Sequence, residues 1–186
     1  MQRRAFLKRG LLGGAVLAAG GVGVALYPSR IRYTARETLA LLDANSFNVM
    51  ASIAARVVTA QGADHVAITH TIDHALARAA PEAQHDIVQL LGLFENGLVG
   101  LLLDGRLKPF TQLEGDAQDA ALLAWRDSRL VLRRGAYKAL KNLCETSFYR
   151  KESAWRLVGY PGPPDALLLL SAAGGVNPEP EPEPAP

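Results

Sequence analysis

LLDANSFNVMASIAARVV, residues 41–58, decides the fold. Asp43 or Asn45 can accept the free N–H groups of a first helical turn. Behind them Phe47, Met50, Ile53, Ala54, Val57 and Val58 recur at three- and four-residue spacing, the stripe of an amphipathic α-helix. Gly62 closes the segment.

The same grammar continues outward. DHVAITHTIDHALARAA, residues 64–80, opens on Asp64 as a cap and stops before Pro81, which suits the first turn of a following helix. That third helix is expected from Glu82 to Leu103. Its run IVQLLGLFENGLVGLLL is so apolar that it should be covered on most sides, by the rest of the bundle or by a partner. Asp86, Gln89, Glu95 and Asn96 interrupt it too often for a membrane span. DGRLKPFTQLEGD reads as a loop, with Gly105 as the stop and Pro109 preventing continuation. A fourth helix starts at Asp116 in DAQDAALLAWRDSRLVLRR, and a fifth, AYKALKNLCETSFY, follows Gly135. ESAWRLVGYPGPP is a short helical turn entering a Gly/Pro loop. No segment alternates at period two. The expectation is an all-α protein, one small bundle of about five helices over residues 31–170.

The two ends differ from this body. Residues 171–186 finish in PEPEPEPAP, whose alternating Pro and Glu favour extended, solvated chain, so a disordered tail is expected. At the other end, MQRRAFLKRG places Arg3, Arg4, Lys8 and Arg9 before an uncharged, Gly-rich stretch, Leu11 to Leu26. Basic residues followed by a mildly apolar segment have the layout of an export signal. Arg3, Arg4, Phe6, Leu7 and Lys8 resemble the twin-arginine signal in particular, with Gln2 in place of its Ser or Thr. Residues 1–30 are therefore read as an address for the periplasm by a pathway that moves folded proteins. No clean A-x-A cleavage site precedes Tyr27-Pro28, so an uncleaved signal retained at the inner membrane is an alternative.

Charge supports this partition. Five of the 20 basic residues and none of the 18 acidic ones lie in residues 1–30, leaving the rest at 15 against 18, a net −3. A near-neutral body argues against nucleic-acid binding, which needs a concentrated basic face. Cys144 is the only cysteine, which excludes an internal disulfide, a CxxCH haem site and a cysteine-ligated cluster.

Motifs of catalysis are missing: no GxSxG, HExxH or Walker loop occurs, and GGVGVA lies in the signal with no strand before it. His70 and His74, four apart on the second helix, could share a metal ion, but no third ligand joins them: Asp73 points about 100° from His74, one residue's turn. No metal, cofactor or catalytic residue is assigned to this chain. Trp125, Arg126, Arg129, Arg133, Arg134, Tyr137, Phe148, Tyr149, Trp155 and Tyr160 crowd into a stretch otherwise rich in Leu and Ala. Trp, Tyr and Arg are enriched at protein interfaces, although Trp125 and Trp155 could equally anchor a helical core.

Residues 124–164, AWRDSRLVLRRGAYKALKNLCETSFYRKESAWRLVGYPGPP, are similar to the C-terminal signature of the gluconate 2-dehydrogenase subunit 3 family. The pattern runs through Trp125, Ser128 and Arg129, then Arg133, Arg134, Ala136, Tyr137, Ala139, Leu140 and Lys141. It continues through Phe148 and Tyr149, Trp155, and Gly159, Tyr160, Gly162 and Pro163. VMASIAARVV and TIDHALARAAPEAQHDI extend the likeness back to residue 40. Phe148 stands where a Tyr is common, and the Pro-Glu tail exceeds what the family requires.

The resemblance implies a small subunit without a redox centre, bound to a GMC-type, FAD-dependent sugar or alcohol dehydrogenase that lacks its own export signal. The pair would cross the twin-arginine translocase folded, FAD residing in the partner, and a cytochrome c subunit is a further candidate member. An interface that survives transport should bury about 2,000 Å² or more. Trp125, Arg129, Arg133, Arg134, Tyr137, Cys144, Tyr149, Trp155 and Tyr160 are its expected residues, with helix 82–103 supplying another part. Cys144 is also a candidate for an intersubunit disulfide in an oxidising compartment. The competing readings are a membrane-tethered periplasmic helical module unrelated to a dehydrogenase, and a small metal enzyme using His70 and His74.

Overall fold

The computed structural model describes residues 29–97, 100, 105, 106, 108–157 and 159–162. The expected signal (Arg3, Arg4, Phe6, Leu7 and Lys8 included), the apolar run 165–175 and the Pro-Glu tail lie outside them. The described elements are all helical: α1 (Ala44–Val57), α2 (His65–Leu76), α3 (Pro81–Glu95), a 3-10 turn (Phe110–Gln112), α4 (Gly115–Arg126), α5 (Val131–Tyr149) and α6 (Glu152–Leu157). The all-α expectation holds, with five longer helices and one short one. Packing divides the chain at Phe148 into a first unit and a second unit that begins with Tyr149.

The first unit is organised around α1. Asp43 caps it, accepting the Ser46 N–H at 2.7 Å. Every residue from Ser46 to Ala54 is buried, so α1 is a central helix rather than one with a solvent face. Small residues make this packing work: Ala51, Ser52 and Ala54 let neighbouring elements come close around Phe47, Met50 and Ile53. The buried Ser52 hydroxyl donates to the Asn48 carbonyl one turn back, at 2.8 Å.

Asp64 caps α2 by accepting the Ala67 N–H at 3.0 Å, and Ile68, Ile72 and Leu76 form its buried stripe. The helix ends at Leu76 rather than running on to Pro81. Gln84, from the following helix, donates to the carbonyls of Ala77 and Ala79 in the turn. Pro81 takes the first position of α3 as expected.

The third helix corrects the sequence reading. It ends at Glu95, with Asn96 extended (φ −77°, ψ 111°), and helical backbone resumes at Gly97. Only Leu91, Phe94 and Glu95 of α3 are buried, so it is not covered on most sides, and the covered helix is α1. The break coincides with a tie to a distant segment. Glu95 turns its carboxylate inward to accept the Thr111 N–H at 3.1 Å and the Thr111 hydroxyl. This ties the end of α3 to the 3-10 turn, whose Phe110 is wholly buried edge-on to Phe94 (5.6 Å between centroids, 88°). The expected loop after Gly105 thus contains part of the core.

A second correction concerns residues 116–149. The fourth helix stops at Arg126 rather than continuing through Arg134. Ser128 then takes over, its hydroxyl accepting the Leu130 N–H at 3.2 Å and its carbonyl accepting from the Arg134 guanidinium at 2.6 Å. The next helix starts at Val131, and Gly135 lies inside it instead of before it. Arg56 of α1 clamps α4 by a two-pronged contact with Asp119, one bond being 2.7 Å from Nε. That pairing raises the Arg56 pKa and lowers that of Asp119.

Candidate partner-binding surface

Two built features stand out, one at each end of the described chain. Residues 29–42 have no regular structure, yet buried polar side chains fasten them to the first unit. Asn48 of α1 accepts the N–H groups of Arg32 (2.9 Å) and Tyr33 (3.1 Å) and donates to the Arg30 carbonyl (2.9 Å). Asp73 of α2 is wholly buried and accepts three successive N–H groups, from Ala40, Leu41 and Leu42, at 2.6–3.0 Å. The Arg32 guanidinium donates to the carbonyls of Thr111 and Leu113. An unpaired buried carboxylate or amide is costly, so each side chain makes the strap and the body stable together.

His70 belongs to this strap. Its Nε2 accepts the Arg36 N–H at 3.0 Å and its ring lies 4.9 Å from that of Phe47, while His74 is exposed. A metal at His70 Nε2 would have to displace that hydrogen bond. Among the described residues no three His, Cys, Asp or Glu side chains gather as a metal site would need.

The aromatic and arginine residues of the second half separate into distinct environments. Trp125 is 4% exposed, tilted against Phe94 (4.2 Å, 33°), and Arg133, also buried, lies over its ring at 5.0 Å. Cys144 is wholly buried, and desolvation pushes its thiol up to about 12. These three belong to the core of the first unit. Arg129 is exposed, and Arg134 and Tyr137 are half-buried.

In the second unit Tyr149 and Tyr160 are exposed and Trp155 half-buried. The Trp155 indole N–H donates to the Tyr149 carbonyl at 2.7 Å, and the Tyr160 N–H donates to the Trp155 carbonyl at 2.9 Å. The Trp155 and Tyr160 rings meet edge-on at 5.6 Å. Gly159 and Gly162 both take positive φ (67° and 111°), which lets the chain fold back over the indole. The spacing of Trp, Gly-Tyr and Gly is thereby explained: it builds a small aromatic lock.

Sequence reasoning missed an exposed apolar group. Leu130, Val131 and Leu132 are 56%, 73% and 83% exposed, with Leu123 of α4 at 41%. The signal was three successive apolar residues between Arg129 and Arg133, hidden while the segment was read as one continuous helix.

These features define a class: a small all-α protein built round one buried helix, with an Arg- and aromatic-rich C-terminal region carrying exposed apolar side chains. The family described as gluconate 2-dehydrogenase subunit 3 matches residues 44–162, from the start of α1 to the second glycine of the aromatic lock. The chain belongs to that family. Neither a curated protein nor a solved structure matches it.

Proposed function

We propose that this chain is the non-catalytic small subunit of a flavin-dependent dehydrogenase, and that it escorts the folded catalytic subunit through the twin-arginine pathway. The observation that carries this reading is family membership across α1 to the aromatic lock, in a chain that carries RRAFLK at residues 3–8 ahead of an uncharged stretch. On this reading the partner is a GMC-type catalytic subunit that holds FAD, and a cytochrome c subunit is a candidate third member. The complex resides in the periplasm, held at the inner membrane if the signal stays uncleaved.

The physical logic is that FAD must be inserted in the cytoplasm, so the flavoprotein travels folded and borrows an address by non-covalent contact. The strap supports the arrangement. Residues 30–42 directly follow the signal and are fastened to the body by Asn48 and Asp73, so an address pulled from its N-terminus would draw on a firm attachment. The burial of Cys144 favours an interface without an intersubunit disulfide.

Replacing Arg3 and Arg4 together by Lys should leave both this chain and flavin-dependent dehydrogenase activity in the cytoplasmic fraction. Normal periplasmic activity in that variant would remove the escort role. A membrane-tethered module unrelated to a dehydrogenase remains the competing reading. It requires the chain to be exported with no flavoprotein bound.

A further inference from the structure

The start of α5 is built against the preferences of an isolated helix. A helix N-terminus carries partial positive charge and favours Asp or Glu in its first turn. α5 has no acid there and opens instead with Val131, Leu132, Arg133 and Arg134. Leu130, Val131 and Leu132 are the most exposed apolar run among the described residues.

Along the chain that follows them the charge has one sign. No acid occurs between Asp127 and Glu145, and Asp127 is already engaged by Arg126 through two bonds of 2.8 Å. Arg129 and Lys138 are exposed.

We propose that Leu130–Leu132, with Arg129 and Lys138, form a docking surface for the catalytic subunit, whose facing patch is apolar at the centre and ringed by carboxylates. This rests on the escort reading. Charge complementarity selects the acidic rim. Val131 and Leu132, successive residues of α5, diverge by about 100°, so a concave apolar pocket on a protein can enclose both.

The test is co-purification of flavoprotein with the tagged full-length chain from its native host, comparing wild type with Leu132→Asp and Arg129→Glu. Both sites are exposed, so each variant should melt like wild type, which circular dichroism checks. Flavin recovered per chain should fall about tenfold or more with either change, as for residues central to an interface. Equal recovery from variants that melt normally overturns the surface while leaving the escort reading intact. A wild-type chain that brings down no flavin overturns the escort reading and the surface with it. Full flavin recovery from Leu132→Asp, combined with lost binding to phosphatidylglycerol vesicles, would reassign the patch to lipid.

Discussion

At the residue scale, Asp73 fastens the strap to the body: it is wholly buried and accepts three successive N–H groups, from Ala40, Leu41 and Leu42. Asp73→Ala leaves those donors without their acceptor and should cost about 2–4 kcal/mol in urea unfolding, with faster proteolysis within residues 30–42. An unchanged midpoint would show that water replaces the carboxylate freely. Cys144 gives a pH-dependent counterpart. Its thiol titrates near 12 in the fold against an ordinary 9.0, so the native state favours the protonated form. The unfolded chain ionises first, and this contribution to stability is lost as pH rises from about 9 to about 12. A thiol reagent at pH 8 should therefore label the native protein far more slowly than the denatured one. Rapid native labelling would restore Cys144 as a disulfide candidate.

At the scale of elements, caps and breakers were legible and burial was not. Asp43, Asp64 and Pro81 do what their chemistry dictates, because a cap acts within one turn. The break at Asn96 coincides with a distant partner, Thr111 for Glu95, which no local pattern encodes, and the break at Asp127 with the Ser128 contacts to Leu130 and Arg134. The same limit hid the central place of α1, whose Ala and Ser residues read as neutral until neighbours surround them. Phe47→Ala at its centre should cost about 3–5 kcal/mol. Gly135 offers the opposite case. It lies inside α5 with negative φ and nothing within 4 Å of an added Cβ, so Gly135→Ala should stabilise by about 0.5–1 kcal/mol, read from the thermal midpoint. Destabilisation there would show that the helix start is strained.

For the whole molecule, the sequence pattern foresaw a helical protein and marked its C-terminal region as rich in Trp, Tyr and Arg. It did not separate core from surface within that region. Trp125, Arg133 and Cys144 share their signature with Arg129, Tyr149 and Tyr160, yet the first three are buried and the others face outward. Residue type alone cannot make that distinction, since Trp and Arg serve cores and interfaces alike. On the proposed function the molecule is a folded carrier: an address, a strap fastened to α1 and α2, and an apolar, cationic surface for cargo. Escort is tested most directly by isolating the tagged full-length chain from the periplasm of its native host and recording the visible absorbance. A larger flavoprotein in equimolar amount, giving an oxidised-flavin spectrum, is the expected result. A colourless chain recovered alone from the same fraction would contradict it.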